Sequence, residues 1–164
     1  MNGSQQERDL MSVLRAFGFV TLRAPGSGTG DFDLPDVLAA SHGVVLVSEA
    51  KAGGPPRNVR CDEVAALRRV ADGFLGTALI TARYKRDRTF YLARPEDMDR
   101  TPSDHYSIPG DEADLPWSLS LPYGKGDDGV EPTRDAGCPV AYTADGSPLH
   151  GHEVVNYIHA LNPG

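Results

Sequence analysis

The segment Val44-Val45-Leu46-Val47-Ser48-Glu49-Ala50-Lys51 carries the strongest fold signal in the chain. Its first four residues are all apolar, and a continuous apolar run is typical of a central strand that is covered on both faces. Glu49 and Lys51 follow directly, where a strand buried on both faces should not carry charge without a reason. Because strand side chains alternate between the two faces, Glu49 and Lys51 are expected to share one face.

Helix and strand signals on both sides of this segment predict a sheet with helices packed against it. Ser4 and Glu7 have the spacing of a capping box, and an apolar helix face follows them until Gly18. The predicted elements are this first helix, strands over 19–22, 34–39 and 44–50, a second helix from about Cys61, and a hairpin of strands over 78–82 and 89–93. This order predicts an α/β fold with a central mixed β-sheet flanked by helices.

The C-terminal part of the chain has a different character. Proline, glycine and aspartate dominate residues 101–137, which we expect to be irregular with short packed pieces. Order returns over 138–161, as a hairpin that turns at 144–147 and a short helix from about Gly151. We therefore expect one domain over residues 1–122 and an irregular C-terminal extension over 123–164, whose role the sequence does not indicate.

Length and composition exclude several classes of protein. The chain has 164 residues, of which 40% are apolar, so it can bury the core of one domain. No stretch approaches the roughly 20 apolar residues that cross a bilayer, and no basic start followed by an apolar run marks a secretory signal. Two cysteines, Cys61 and Cys138, suit a reducing compartment. We expect a cytoplasmic protein with no membrane partner.

The charge of the chain is unevenly distributed. The 16 basic and 23 acidic residues give a net charge of −7, which taken alone argues against a nucleic-acid partner. Residues 1–100 hold 14 basic and 13 acidic side chains, whereas residues 101–164 hold 2 and 10. The acidity belongs to the C-terminal third, so the first hundred residues stay compatible with binding to nucleic acid.

Asp36, Glu49, Lys51 and Glu7 form the candidate site. Adjacent antiparallel strands can bring Asp36 and Glu49 within a few ångströms, and two acids with a lysine at a strand end suit a hard divalent cation. Such a cation can activate bound water and neutralise charge on a phosphate. Glu7 shares the inward helix face of Leu10. Taken singly, each residue also has a structural interpretation, as a capping glutamate, a strand-end acid, or a solvated pair on one face.

These residues resemble the PD-(D/E)xK nuclease motif, and the surrounding sequence is similar to archaeal Holliday junction resolvases of the Hjc type. The similarity rests on Glu7-Arg8-Asp9-Leu10, Gly18-Phe19, Arg23-Ala24-Pro25-Gly26-Ser27-Gly28, Leu34-Pro35-Asp36, Glu49-Ala50-Lys51 and Tyr91-Leu92-Ala93-Arg94-Pro95-Glu96-Asp97-Met98. It covers about residues 4–122 and implies a restriction-endonuclease-like sheet in a nuclease domain over 1–122.

The resemblance implies a Mg²⁺-dependent, homodimeric endonuclease, with Mn²⁺ as the alternative ion, that resolves four-way DNA junctions by paired phosphodiester hydrolysis in recombination and repair. It makes Glu7, Asp36 and Glu49 metal ligands, and Lys51 the group that orients the attacking water or stabilises the phosphate. It also places Ser27 near the scissile phosphate, and Arg8, Arg23 and Ser27 in contact with DNA. A two-fold dimer suits a two-fold symmetric junction, which we expect to be recognised by shape and backbone.

Three other interpretations stay open. The chain could be another PD-(D/E)xK DNA nuclease, of restriction type or virus-encoded, or a junction-binding paralogue that does not cleave. The intact set of Glu7, Asp36, Glu49 and Lys51 counts against the paralogue, because a binding protein does not need all four. A plain α/β interaction domain would be favoured only if Asp36 and Glu49 proved far apart.

Some features depart from the family pattern. Asp31 and Asp33 lie in a loop that is usually basic, and Glu63 stands where members often carry glutamine. With the acid excess, these residues lead to the hypothesis of a salt-loving host, in which acidic surfaces aid solubility. Cys138, His150, His152 and His159 fit no standard zinc spacing, so we interpret the last segment as a packing or dimer-interface element.

Overall fold

The computed structural model describes residues 3–23, 34–51, 57–85, 87–126 and 129–162, with the backbone alone at Gly3, Ser4 and Lys51. The helices are α1 (Gly3–Ala16), α2 (Cys61–Gly73) and α3 (Glu153–Leu161). The strands are β1 (Val20–Arg23), β2 (Val37–Ser41), β3 (Val44–Lys51), β4 (Arg57–Val59), β5 (Thr77–Arg83), β6 (Thr89–Ala93), β7 (Tyr106–Ile108), β8 (Leu119–Gly126), β9 (Gly129–Pro132), β10 (Arg134–Asp135), β11 (Cys138–Thr143) and β12 (Pro148–His150).

The strands form one large sheet in the order β1-β2-β3-β5-β6-β8-β11-β10, with β9 paired to β8 and β12 paired to β11. Strands β3 and β5 are parallel, and α2 forms the crossover between them. The other described pairings, including the small β4–β7 sheet, are antiparallel. The predicted α/β fold with a central mixed sheet is confirmed.

Helices cover both faces of the sheet. On one face α1 and α3 share a core with Leu46, and on the other face α2 packs with Val47. Successive residues of β3 therefore enter different cores, which is why its apolar run is continuous rather than alternating. None of the helices in the described ranges is long and apolar enough to span a membrane.

The start of α1 differs from the capping-box prediction. The helix begins at Gly3, so Ser4 lies within it rather than at its N-cap. The carboxylate of Glu7 accepts a hydrogen bond from Arg23 at the end of β1. The guanidinium of Arg23 is a charged donor and binds a carboxylate more strongly than a backbone N–H does. The capping-box prediction is therefore wrong.

The prediction of irregular structure over 101–137 is wrong in part. This region contains β7, β8, β9 and β10, and Leu119, Leu121 and Tyr123 of β8 alternate into the core. Pro122 and the glycines around it concealed this period of two. The boundary predicted at residue 122 falls within β8, and Ile158 of α3 packs in the same core as α1. The division into two parts stays a prediction.

Candidate active site

The ends of several strands meet at one edge of the sheet. Because β3 and β5 are parallel, their C-terminal residues Lys51 and Arg83 lie at the same edge. The neighbouring strands β1 and β2 are antiparallel. They bring Arg23, at the end of β1, and Asp36, directly before β2, to that edge as well. This edge, called the site edge below, therefore gathers side chains that are far apart in the sequence.

The β2–β3 hairpin places Asp36 opposite Glu49. His42 and Gly43 both have positive φ, 50° and 81°, as a two-residue hairpin turn requires, and Ser41 pairs with Val44. Pairing continues to Val37 and Ser48, so Asp36 and Glu49 are the next pair in the same register. Opposed residues of an antiparallel pair point to the same face, with their Cβ atoms about 4.5–5.5 Å apart.

A backbone hydrogen bond fixes Asp36 against β3. The N–H of Ala50 donates to Oδ2 of Asp36 at 3.0 Å. Asp36 and Glu49 are both half-buried, on the side of the sheet that carries α2. The two carboxylates are therefore brought together by backbone register rather than by flexible side chains.

Lys51 is the last residue of β3, and its backbone pairs in register with Ala82 of β5. It follows Glu49 by two residues within one strand. That the two side chains share one face stays a prediction. Of the other predicted residues, Ser27 lies outside the described ranges. Arg8 is exposed on α1, directly after Glu7.

Glu7 and Arg23 form a close ion pair at the site edge. Nε of Arg23 lies 2.6 Å from Oε2 of Glu7, and the two side chains are 30% and 15% exposed. The charged hydrogen bond is shielded from solvent on the Glu7 side. The structure therefore joins a predicted metal ligand to a predicted DNA contact.

The donor set at the site edge fits a hard divalent cation. Asp36 and Glu49 supply carboxylate oxygens, the ligands that Mg²⁺ prefers, from two opposed backbone positions. Within the described ranges, no group of three or more His, Cys, Asp or Glu side chains is placed to hold a metal ion, and Glu7 is engaged by Arg23. Two carboxylates with several waters are an ordinary Mg²⁺ environment.

A second ion pair at the same edge was missed at the sequence level. Nη1 of Arg83 donates to Oδ2 of Asp9 at 3.1 Å, and Nε2 of Gln5 donates to Oδ1 at 2.7 Å. The sequence contains a signal for this contact. Asp9 lies four residues before Val13, so it shares the buried helix face of Leu10, Val13 and Phe17. An acid in an apolar stripe indicates a buried polar contact.

The C-terminal histidines do not converge on one metal centre. His150 lies 3.1 Å from Asp135, whereas the ring of His152 meets His42 edge-on at 5.9 Å. His159 lines a separate groove beside Leu75. The segment that carries them packs α3 into the core, in agreement with the predicted packing element, and a role in a dimer interface stays a prediction.

Comparison with known proteins assigns the chain to a family. A family model described as archaeal Holliday junction resolvase (Hjc) matches residues 1–116. The crossover junction endodeoxyribonuclease Hjc of Sulfolobus acidocaldarius is 32% identical over 107 residues, which are 63% of this chain and 73% of that protein. The enzyme of the same name from Archaeoglobus fulgidus is 30% identical over 120 residues, 73% of this chain and 85% of that protein.

A solved structure agrees with the sequence comparisons. The crystal structure of Archaeoglobus fulgidus Hjc, a Holliday junction resolvase from an archaeal hyperthermophile, superposes with a TM-score of 0.61 at 30% identity. The match covers 70% of this chain and 92% of that one. The family model and the structural match point to the same family. The chain is a member of the archaeal Holliday junction resolvase family.

Proposed function

We propose that this protein is a structure-selective, metal-dependent endonuclease that resolves four-way DNA junctions by paired phosphodiester hydrolysis in recombination and repair. The observation that carries the proposal is the β2–β3 register, which places Asp36 opposite Glu49, together with the 3.0 Å hydrogen bond from the N–H of Ala50 to Oδ2 of Asp36. Glu49 lies two residues before Lys51 in β3. A junction-binding protein that does not cleave has no need of two opposed carboxylates and a lysine. Membership of the resolvase family supports the substrate class.

Asp36 and Glu49 would hold one Mg²⁺ or Mn²⁺ ion. When bound, the ion supplies an activated water and neutralises charge that builds on the phosphate. Lys51 is the group on this chain that holds the attacking water in line or stabilises the non-bridging phosphate oxygens. Glu7 remains a proposed metal ligand, and Arg23 holds its carboxylate near the site edge.

DNA would be bound through its phosphates. Arg8 is exposed on α1 next to Glu7, and Arg23 ends β1 opposite Val37, one residue from Asp36. Arginine forms bidentate contacts with phosphate, and such contacts position a duplex without reading its sequence. Ser27 completes the proposed DNA contacts.

A homodimer is the proposed active form, and an uncovered apolar face supports it. Val20 and Leu22 of β1 are 73% and 62% exposed, and Phe74 and Leu75 after α2 are 55% and 85% exposed. Val20 pairs with Ala40, and Ala40 pairs with Val45. Val45 in turn contacts Gly76, the residue after Leu75. The four exposed residues Val20, Leu22, Phe74 and Leu75, called the apolar face below, therefore lie on one side of the sheet. A second copy of this chain would bury them and present two identical sites to the junction.

Cleavage of a synthetic four-way junction tests the proposal. The protein is incubated with the junction and, separately, with linear duplexes of the same arm sequences, with Mg²⁺ or with EDTA. We expect nicks on two opposed strands of the junction, no cuts in the duplexes, and no cleavage in EDTA. Comparable cutting of the duplexes would favour another PD-(D/E)xK nuclease. Binding without cleavage in Mg²⁺ or Mn²⁺ would favour the non-cleaving paralogue.

A further inference from the structure

Two ion pairs hold the first half of α1 from opposite sides. Glu7 is bound by Arg23 of β1, and Asp9 is bound by Arg83 of β5. In the sheet order β1-β2-β3-β5, the strands between these two anchors are β2 and β3. Asp36 directly precedes β2 and Glu49 lies near the end of β3. The helix is therefore fixed on both flanks of the strand ends that carry the proposed site.

The Asp9–Arg83 pair is the more buried of the two. The side chains of Asp9 and Arg83 are 8% and 15% exposed. The guanidinium of Arg83 lies 5.1 Å from the ring centre of Tyr123 and 5.6 Å from that of Phe90, and these rings stack on each other at 4.9 Å. Gln5 completes the surroundings of Asp9 through its 2.7 Å hydrogen bond. Arg83 is thus held by a carboxylate and two aromatic rings.

Stability alone does not explain a buried charge pair at this position. Removing two charges from water is costly, and apolar residues of similar volume often serve the fold as well or better. The neighbouring turns of α1 use apolar contacts, through Leu10, Val13 and Leu14. Unlike an apolar contact, a charged hydrogen bond is directional. It therefore fixes the position of a helix along and around its axis.

We propose that Asp9 and Arg83 are positioning residues for strand cleavage, which fix Glu7 near the site edge, beside Arg23 at the end of β1, by locking α1 to β5. The inference rests on the proposed nuclease function. Asp9 follows Glu7 by two residues, so a shift or rotation of α1 at Asp9 moves Glu7 with it. Arg83 directly follows Ala82, whose backbone pairs with Lys51, so the lock joins α1 to the strand next to the lysine.

The test replaces the ion pair by a neutral one. The double variant Asp9→Asn with Arg83→Gln retains hydrogen-bonding groups and removes both charges of the pair together. Arg83→Lys is a second variant that keeps the charge but loses the planar fork. The measurements are the single-turnover cleavage rate at saturating protein, the affinity for the junction in EDTA, and hydrogen exchange in α1. The matched control is Arg94→Gln with Asp97→Asn, which removes a partly exposed pair with a 2.7 Å contact away from the site edge.

We expect the double variant to cleave at least about 10-fold more slowly at saturation, since a displacement of about 1 Å can cost about 100-fold in enzymes. Its junction affinity should stay within about threefold, and exchange should rise in the first turns of α1. Arg83→Lys should be slowed by a smaller factor, and the control should match the wild type.

Wild-type rates in both Arg83 variants would overturn the proposal. A loss confined to affinity would overturn it as well, because it would make Arg83 a phosphate contact. If the wild type does not cleave junctions, the proposed function fails, whereas hydrogen exchange still tests the lock.

Discussion

The backbone N–H of Ala50 donates a 3.0 Å hydrogen bond to the Oδ2 atom of Asp36. This bond ties the carboxylate that precedes β2 to the residue between Glu49 and Lys51. The relative positions of the two acids therefore depend on backbone pairing, which is more rigid than contact between side chains. Such rigidity is what a site needs if it is to hold a metal ion in one geometry.

Asp36→Asn tests the role of the carboxylate apart from its structural bond. Asparagine keeps an oxygen that can accept from the N–H of Ala50, so the thermal midpoint should change little. Loss of the negative charge should lower the single-turnover cleavage rate at least about 100-fold, because a metal site contributes several kcal/mol to such reactions. Affinity for the junction in EDTA should be equal or higher, since a negative charge near phosphate is removed. A variant that cleaves at the wild-type rate would show that Asp36 is not a metal ligand.

Arg8→Ala tests the proposed phosphate contact. Arg8 is exposed on α1 beside Glu7. Its loss should weaken junction binding and lower the slope of log affinity against log salt by about one, as expected for one phosphate contact. Fluorescence anisotropy in EDTA measures both. Arg15→Ala is the control, because Arg15 is exposed two turns further along the same helix, roughly 10 Å away. Equal effects of the two substitutions would mean that neither arginine makes a specific contact.

Phe74→Asp tests the apolar face. An aspartate in the middle of a contact between two copies places a charge in an apolar interface, so light scattering should show a monomer where the wild type is a dimer. The monomer should nick single strands of the junction without the paired second cut. Asn156→Asp, which adds a charge to exposed α3 on the other side of the sheet, should leave the dimer intact. A wild type that is monomeric at working concentration, or a dimer that tolerates Phe74→Asp, would exclude this interface.

The acidic C-terminal third underlies a prediction about salt. Residues 101–164 hold 10 acidic and 2 basic side chains, a balance that favours solubility when electrostatic interactions are screened. If the host is salt-loving, cleavage should persist at about 2 M KCl, where the Debye length is only about 2–3 Å. Rates across a KCl series check this. A steady fall of activity above low salt would contradict the salt-loving hypothesis and leave the nuclease chemistry unaffected.

The core of the site could be predicted from the sequence because it depends on local structure. A two-residue turn at His42 and Gly43 sets the register of β2 and β3, and Asp36 and Glu49 are each about six residues from that turn. Strand alternation then predicts the face of Glu49 for Lys51. These relationships need only a turn, a register and a period of two, all of which are readable in a short stretch of chain.

The rest of the site edge depends on tertiary distances. Arg23 reaches Glu7 across 16 residues, and Arg83 reaches Asp9 across 74, so no local pattern predicts either partner. Strand β8 was missed because its alternation of Leu119, Leu121 and Tyr123 is short and is interrupted by proline and glycine. The exposed apolar residues of β1 and of the segment after α2 are brought to one side of the sheet only by its strand order.

The most direct test of the central claim is cleavage of a labelled four-way junction by the wild-type protein in Mg²⁺, with a large molar excess of unlabelled linear duplex present. If the protein is a resolvase, the competitor should barely slow the reaction, and the cuts should map to symmetric positions on two opposed strands. If the duplex suppresses cleavage in proportion to its concentration, or is itself cut at a comparable rate, the protein is not selective for junctions and the proposed function is wrong.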